Sequence, residues 1–122
     1  MPELIVEPEL IPLATGATVE EYVGRLRTRT DSVSVAMVSA SAGWSEPTQC
    51  PAFDEICVVL SGTLLVEHDG ETTKVTVGQA VVVRAGETIQ YSSVEGVQHL
   101  AICLPAYDAA LVNRADRSTI GG

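Results

Sequence analysis

Three side chains of this sequence belong to residue types that can move protons. Glu55 begins an apolar run, and Tyr91 and His99 lie in two further predicted strands. A buried carboxyl group without partners has a raised pKa, which suits general acid or base catalysis near neutral pH. We therefore predict Glu55, Tyr91 and His99 as catalytic residues, with His99 paired to Glu55 if it points inward. The alternatives are a structural acid held by arginine or backbone donors, a tyrosine in the core, and a histidine on the sheet surface.

A second set of side chains could bind a substrate beside this glutamate. Strand alternation places Cys57 on the same side as Glu55, and Ile89 shares a face with Tyr91. Two aromatic residues bracket the loop that leads into the strand and could cover a pocket, namely Trp44 and Phe53. The alternatives are a buried cysteine that acts as a small hydrophobe and aromatic rings that fix the loop to the core.

Short apolar segments that recur every eight to ten residues position these side chains. Turn signals separate them, above all the Asp69-Gly70 pair, and this pattern is typical of an all-β sandwich or small barrel. The 122 residues correspond to a single domain. We divide the chain into an N-terminal arm with the first strands (1–31), a barrel (32–106) and a C-terminal tail (107–122) whose last residues we expect to be frayed.

Local patterns give further expectations about the first half of the chain. A capping-box pattern predicts that a short helix begins at 18–22. Period-two alternation then predicts one cationic strand face formed by Arg25, Arg27 and Arg29. This face could clamp an anion or could be a solvated edge strand. Candidate apolar liners of the pocket are Val33, Val35, Val59 and Ile89.

Charge and cysteine content limit the classes of partner. The net charge of −9 disfavours binding to nucleic acid and to anionic membranes. No stretch reaches the roughly 20 apolar residues of a membrane helix, and the three cysteines without a signal peptide favour the cytoplasm. We also expect a homodimer, with the arm at 3–13 as a candidate exchanged strand.

Two spaced motifs resemble those of the cupin superfamily. Residues 55–62, from Glu55 to Gly62, resemble the end of the first cupin motif, and residues 78–86 resemble the second. Within the superfamily, the segments 53–56 and 103–106 look most like the branch of ethanolamine-utilisation protein Q. The resemblance implies an RmlC-like jelly roll, that is, a double-stranded β-helix with a pocket between two sheets.

The resemblance also shows which cupin features this chain lacks. A typical cupin holds a divalent metal through three histidines and one glutamate. At the histidine positions stand Gln49, Pro51 and Ile89, and only Glu55 is retained. We therefore predict no metal and no other cofactor, and we predict Gln49 as a substrate contact at the mouth of the pocket. The alternative is a non-standard metal site drawn from Glu46, Gln49, Glu55 and His99.

These features favour a small-molecule cupin without the usual metal-binding histidines. The predicted reaction is metal-independent acid–base catalysis, such as isomerisation, cyclisation or dehydration of an apolar substrate that contains a carbonyl group. The alternative is a cupin that binds a small ligand, or assists a partner enzyme, without catalysis.

Overall fold

The computed structural model describes residues 1–13 and 16–114. Ten strands and one short helix follow in chain order: β1 (Glu9–Ile11), β2 (Ala17–Val23), β3 (Ser34–Ala40), β4 (Trp44–Ser45), β5 (Asp54–Gly62), β6 (Leu64–His68), β7 (Glu71–Val75), β8 (Ala80–Val83), β9 (Gln90–Ser93), β10 (Val97–Leu104) and α1 (Ala109–Val112). The described chain is thus almost entirely β, as predicted.

The strands form two antiparallel sheets that pack face to face. The six-stranded sheet has the order β1-β2-β3-β10-β5-β8, and the four-stranded sheet has the order β4-β9-β6-β7. Buried side chains from both sheets form one apolar core, to which the larger sheet contributes Cys57 and Val59, and the smaller Leu64 and Val66. This is the predicted jelly roll. In its described part, no helix is long and apolar enough to cross a membrane.

The predicted helix at 18–22 is wrong, since this segment lies in β2. The strand pairs with β1 on one side and with β3 on the other. Threonine, valine and tyrosine also favour a pleated strand, and the two ladders outweigh the local capping-box pattern.

The predicted cationic strand is also wrong, because residues 24–28 form a bend and a turn and Arg29 has a φ of 56°. The buried Glu21 carboxylate holds this turn: one of its oxygens accepts hydrogen bonds from the backbone N–H groups of Leu26 and Arg27, each at 2.9 Å. The arginines therefore do not alternate along a strand.

The facing of β3 is opposite to the prediction. Ser34, Ala36 and Val38 are buried toward the second sheet, whereas Val35 lies on the outer face. Val33 precedes the strand and does not line the cavity. A one-residue change of facing moves every side chain of a strand to the other side of its sheet.

Segments near both ends of the described chain pack onto the barrel, namely β1 and α1, whose Val112 packs with Phe53 and Cys103. The N-terminal strand β1 extends the six-stranded sheet, so it is continuous with the barrel strands. Asp108 caps α1 by accepting a hydrogen bond from the N–H of Ala110 at 3.0 Å. Residues 115–122 of the predicted tail lie outside the described residues.

Candidate functional site

A cavity lies between the sheets, and three rungs of β2, β3, β10 and β5 form one of its walls. Residues of a rung lie opposite each other across neighbouring strands: Val19, Val38 and His99 in the first, Glu21, Ala36 and Ala101 in the second, and Ser34, Cys103 and Glu55 in the third. All nine side chains line the cavity. The middle rung carries two alanines, whose small side chains leave the space that larger residues would fill.

Glu55 and Tyr91 meet across the cavity from opposite sheets. The Tyr91 hydroxyl donates a hydrogen bond of 2.8 Å to the Glu55 carboxylate. Burial raises the pKa of Glu55 from 4.5 to about 7, against the lowering effect of the Tyr91 hydrogen bond. The pKa of Tyr91 is raised, first by burial and then by the nearby Glu55. At neutral pH the pair can therefore accept a proton at Glu55 and donate one, with Tyr91 remaining a phenol.

His99 faces the cavity but does not pair with Glu55. Cys103 lies opposite Glu55 in the sheet, and His99 is four residues away from Cys103 on the same strand. Four residues of strand span about 13 Å, so the predicted acid–base couple is wrong. The Nδ1 atom of His99 lies 3.2 Å from the backbone oxygen of Leu100, and burial lowers the pKa of the imidazole. His99 is therefore a neutral group at the far end of the cavity.

Three of the predicted substrate contacts line the cavity, namely Gln49, Trp44 and Phe53. The other two, Cys57 and Ile89, do not. Both side chains are almost completely inaccessible, at 0% and 2% exposure, and belong to the apolar core. Val59, a predicted liner, is also packed there. Strand alternation correctly predicts the side of the sheet on which Cys57 lies, but its side chain is buried among other core side chains and does not reach the cavity.

An ion pair that the sequence pattern did not indicate lies next to Glu55. The Arg114 guanidinium donates a hydrogen bond of 3.0 Å to the Glu46 carboxylate, and both side chains line the cavity. Glu46 raises and Arg114 lowers the pKa of Glu55, so both lie within electrostatic reach of it. Arg114 follows α1 in the predicted tail, and a backbone bridge to Gln49 returns it to the barrel.

Three buried donor atoms of cavity-lining residues have no hydrogen-bond partner among the described residues. These atoms are Trp44 Nε1, the Tyr107 hydroxyl and Arg114 Nε. Burial raises the pKa of Tyr107 while Arg114 opposes this effect. Buried donors are normally satisfied, and these three atoms could each donate to an acceptor placed in the cavity.

The donor set does not fit the usual cupin metal. Among residues 1–13 and 16–114, no three histidine, cysteine, aspartate or glutamate side chains come together to hold a metal ion. At the position of the third histidine of typical cupins, the side chain of Ile89 is packed in the apolar core. The backbone of Ile89 pairs with that of Gln49 through two hydrogen bonds of 2.9 Å. Of the residues considered for a non-standard site, Glu46 is engaged by Arg114 and His99 is remote from Glu55.

The two facing sheets, with a cavity between them, define a protein of the cupin class. More particularly, the chain belongs to the family of AraC-binding-like domains, whose family model matches residues 13–119. The predicted superfamily is thereby confirmed.

A relative from Myxococcus xanthus, the endoribonuclease YbeY, is 37% identical over 107 residues. The match covers 86% of this chain and 36% of that protein, so the chain spans about a third of the relative's length.

Solved cupin structures share the fold. The ethanolamine utilization protein Q of Salmonella typhimurium superposes with a TM-score of 0.66 at 20% identity, covering 80% of each chain. The polyketide cyclase RemF of Streptomyces resistomycificus superposes with a TM-score of 0.74 at 14% identity, covering 95% of this chain and 86% of its own. At these identities the similarity concerns the fold alone. It agrees with the predicted likeness to the ethanolamine-utilisation branch at that level.

Proposed function

We propose that this protein binds a small, mainly apolar molecule that carries a carbonyl group and converts it by acid–base catalysis. The observation that carries the proposal is the contact between Glu55 and Tyr91 at the cavity wall. A carboxyl group with a pKa of about 7 is present in both protonation states at neutral pH. It can therefore take a proton from one atom of a substrate and return it to another.

Each polar group has a distinct part in this proposal. Glu55 is the acid–base group, and Tyr91 orients its carboxyl and donates to a substrate oxygen when Glu55 is protonated. His99, neutral and at the opposite end, contacts a second polar group of an elongated ligand. Such a set suits isomerisation, cyclisation or dehydration, since none of these reactions needs an external oxidant or reductant and the enzyme has to supply only proton transfers: the substrate itself forms the new ring bond in cyclisation and loses hydroxide, protonated to water, in dehydration. A polyketide cyclase with the same fold supports the choice of cyclisation as one candidate.

We propose that this chemistry proceeds without a metal. Two of the three positions that carry metal-binding histidines in typical cupins hold side chains without a metal-binding atom, Pro51 and Ile89. One carboxylate supplemented by an amide is a weak set of ligands for a divalent ion. The raised pKa of Glu55 also supplies the acid and base that a metal-bound water would otherwise provide.

A second candidate function is ligand binding without turnover. Membership of the family of AraC-binding-like domains supports this candidate. In that case the Glu55–Tyr91 pair would hydrogen-bond a ligand oxygen, and the protein would sense the ligand or assist a partner enzyme.

One experiment separates the two candidates. Uncharged carbonyl compounds with apolar bodies are incubated with the protein, and mass spectrometry follows their consumption. Catalysis predicts consumption that Glu55→Gln abolishes and the matched exposed variant Glu67→Gln retains. A ligand that binds, is recovered unchanged and is weakened by Glu55→Gln supports binding alone. Consumption that survives in Glu55→Gln contradicts the proposed role of this residue.

The outer face of the six-stranded sheet supports the proposal that the protein is a homodimer. Apolar side chains from four neighbouring strands lie side by side there: Met37, Leu100, Ile102, Ile56, Val58 and Val82. A continuous apolar face of this kind is typical of an interface. The arm itself pairs within the chain through β1 and β2, so the sheet face replaces it as the proposed contact.

Light scattering tests this assembly. We expect a mass of two chains for the native protein and of one chain for Leu100→Glu, while Gln98→Glu, near the edge of the same face, remains dimeric. A native mass of one chain contradicts the proposal.

We also propose that the protein works in the cytoplasm and does not bind nucleic acid. The net charge of −9 disfavours contact with phosphate backbones, so we do not carry over the endoribonuclease activity that the Myxococcus relative is named for. The three cysteines are all unpaired, Cys57 and Cys103 in buried positions. Unpaired thiols suit a reducing compartment such as the cytoplasm.

A further inference from the structure

The three unpaired donors all belong to residues that line the cavity, and two of them, the Tyr107 hydroxyl and Arg114 Nε, lie at the ion pair of Glu46 and Arg114, next to the proposed acid–base pair. Trp44 is two residues before Glu46 on the same side of its segment, and both side chains line the cavity. Arg114 bonds Glu46 through one terminal nitrogen, and its Nε remains unpaired. Tyr107 lies close enough to Arg114 for the guanidinium to affect the pKa of its phenol.

Among the described residues that line the cavity, Arg114 is the one arginine or lysine, so these residues offer hydrogen-bond donors but no unmatched positive charge. The Arg114 charge is matched by Glu46 at 3.0 Å, with side chains only 25% and 12% exposed. Glu55 and Glu21 add acidic groups to the same wall, and His99 is neutral because burial lowers its pKa. A bound carboxylate or phosphate would bring another negative charge into a poorly solvated site without a partner, which is costly.

We propose that the cavity selects uncharged ligands that carry two or more oxygen acceptors at one end, and that Glu46 determines this selectivity. The acceptors meet Trp44 Nε1, the Tyr107 hydroxyl and Arg114 Nε, and the apolar body lies along the alanine rung. This inference rests on the proposed function because it concerns the same cavity, and it adds that the ligand is uncharged. The three donors bind oxygen atoms of the ligand, and anions are excluded because Glu46 neutralises the charge of Arg114.

Trp44 provides a direct readout, because it is the single tryptophan and its indole N–H gives one resonance in a proton–nitrogen spectrum. Methyl salicylate and salicylate form a matched pair, since both carry neighbouring oxygens on an aromatic ring and differ mainly in charge. We expect methyl salicylate to shift the Trp44 indole resonance. We expect salicylate to bind about tenfold or more weakly, because its charge has no counterion in the cavity.

Removal of the counter-charge should invert this preference. In Glu46→Gln the Arg114 charge is no longer matched, so salicylate should gain about tenfold or more in affinity relative to methyl salicylate. Glu67→Gln makes the same change of charge on an exposed strand position and should leave the ratio unchanged. The backbone spectrum shows in the same experiment that each variant is folded.

Three results overturn the proposal: salicylate equal to or tighter than methyl salicylate in the native protein, an unchanged ratio in Glu46→Gln, or an indole resonance that neither compound shifts. None of these measurements depends on turnover. A failure of acid–base catalysis, seen as consumption that survives in Glu55→Gln, is therefore a separate outcome and leaves the selectivity measurement intact.

Discussion

The Glu55 carboxyl should make the stability of the protein fall as pH rises through neutrality. Its pKa is about 7 in the folded chain and 4.5 in an exposed glutamate. The protonated form is therefore favoured by folding, and its contribution is fully present below pH 4.5 and lost as pH rises through 7. The difference corresponds to about 3 kcal/mol, of which about 2.5 kcal/mol is lost between pH 5 and pH 8.

Comparison of the native protein with Glu55→Gln isolates this contribution. Glutamine is nearly isosteric with the protonated acid and can still accept the hydrogen bond of Tyr91. The two proteins should have similar free energies of unfolding near pH 5. At pH 9 we expect the variant to be more stable by about 2.5 kcal/mol.

The contributions of other titrating groups in and beside the cavity cancel in this comparison. The lowered pKa of His99 removes stability as pH falls below 6.5, the opposite direction, and does so in both proteins. The raised pKa values of Cys57, Cys103 and Tyr91 keep these groups protonated up to pH 9. Urea unfolding followed by Trp44 fluorescence gives the free energies. Parallel pH profiles for the two proteins would refute the reasoning.

Three further perturbations test the cavity and the fold. Ala101→Leu fills the space at the middle rung of the cavity wall. Calorimetry should then show that methyl salicylate binds about tenfold or more weakly, while the free energy of unfolding changes by roughly 1 to 3 kcal/mol. An unchanged affinity would place the ligand elsewhere. Tyr91→Phe removes the hydrogen bond that lowers the pKa of Glu55, so carboxyl titration should give a higher value, and an equal or lower one contradicts the contact. Gly62→Ala should lower the free energy of unfolding in urea by more than about 2 kcal/mol, because a Cβ there would overlap a backbone carbonyl. Gly78 has a similar positive φ but open space around it, so Gly78→Ala should cost about 1 kcal/mol. Equal costs for the two variants would contradict the overlap.

The strands were predictable from the sequence because turns punctuate them. The Asp69-Gly70 hairpin joins β6 and β7 as expected, and the apolar run after Glu55 forms β5. The segment at 18–22 was predicted wrongly since its strand state depends on two partner strands, which a local capping pattern does not report. The facing of β3 depends on which residue starts the ladder with β10, and period-two alternation alone leaves that choice open.

The site was predictable where a residue sits close to a recognisable strand start. Glu55 and Tyr91 reach the cavity as expected, and so do Gln49 and Phe53 of the loop between β4 and β5. The pairing of His99 was wrong because the register of β10 against β5 fixes its distance from Glu55, and that register includes a bulge next to His99. Arg114 was missed because only the return of the tail to Gln49 brings it to the cavity.

The most direct test of the central claim is a carbon NMR titration of the Glu55 side-chain carboxyl. Its resonance is assigned as the one that disappears in Glu55→Gln. A protonation midpoint near pH 7 is the predicted result, because the group is buried beside Tyr91 at the cavity wall. A midpoint near 4.5, the value of an exposed glutamate, would contradict the proposal that this cavity performs acid–base chemistry at neutral pH.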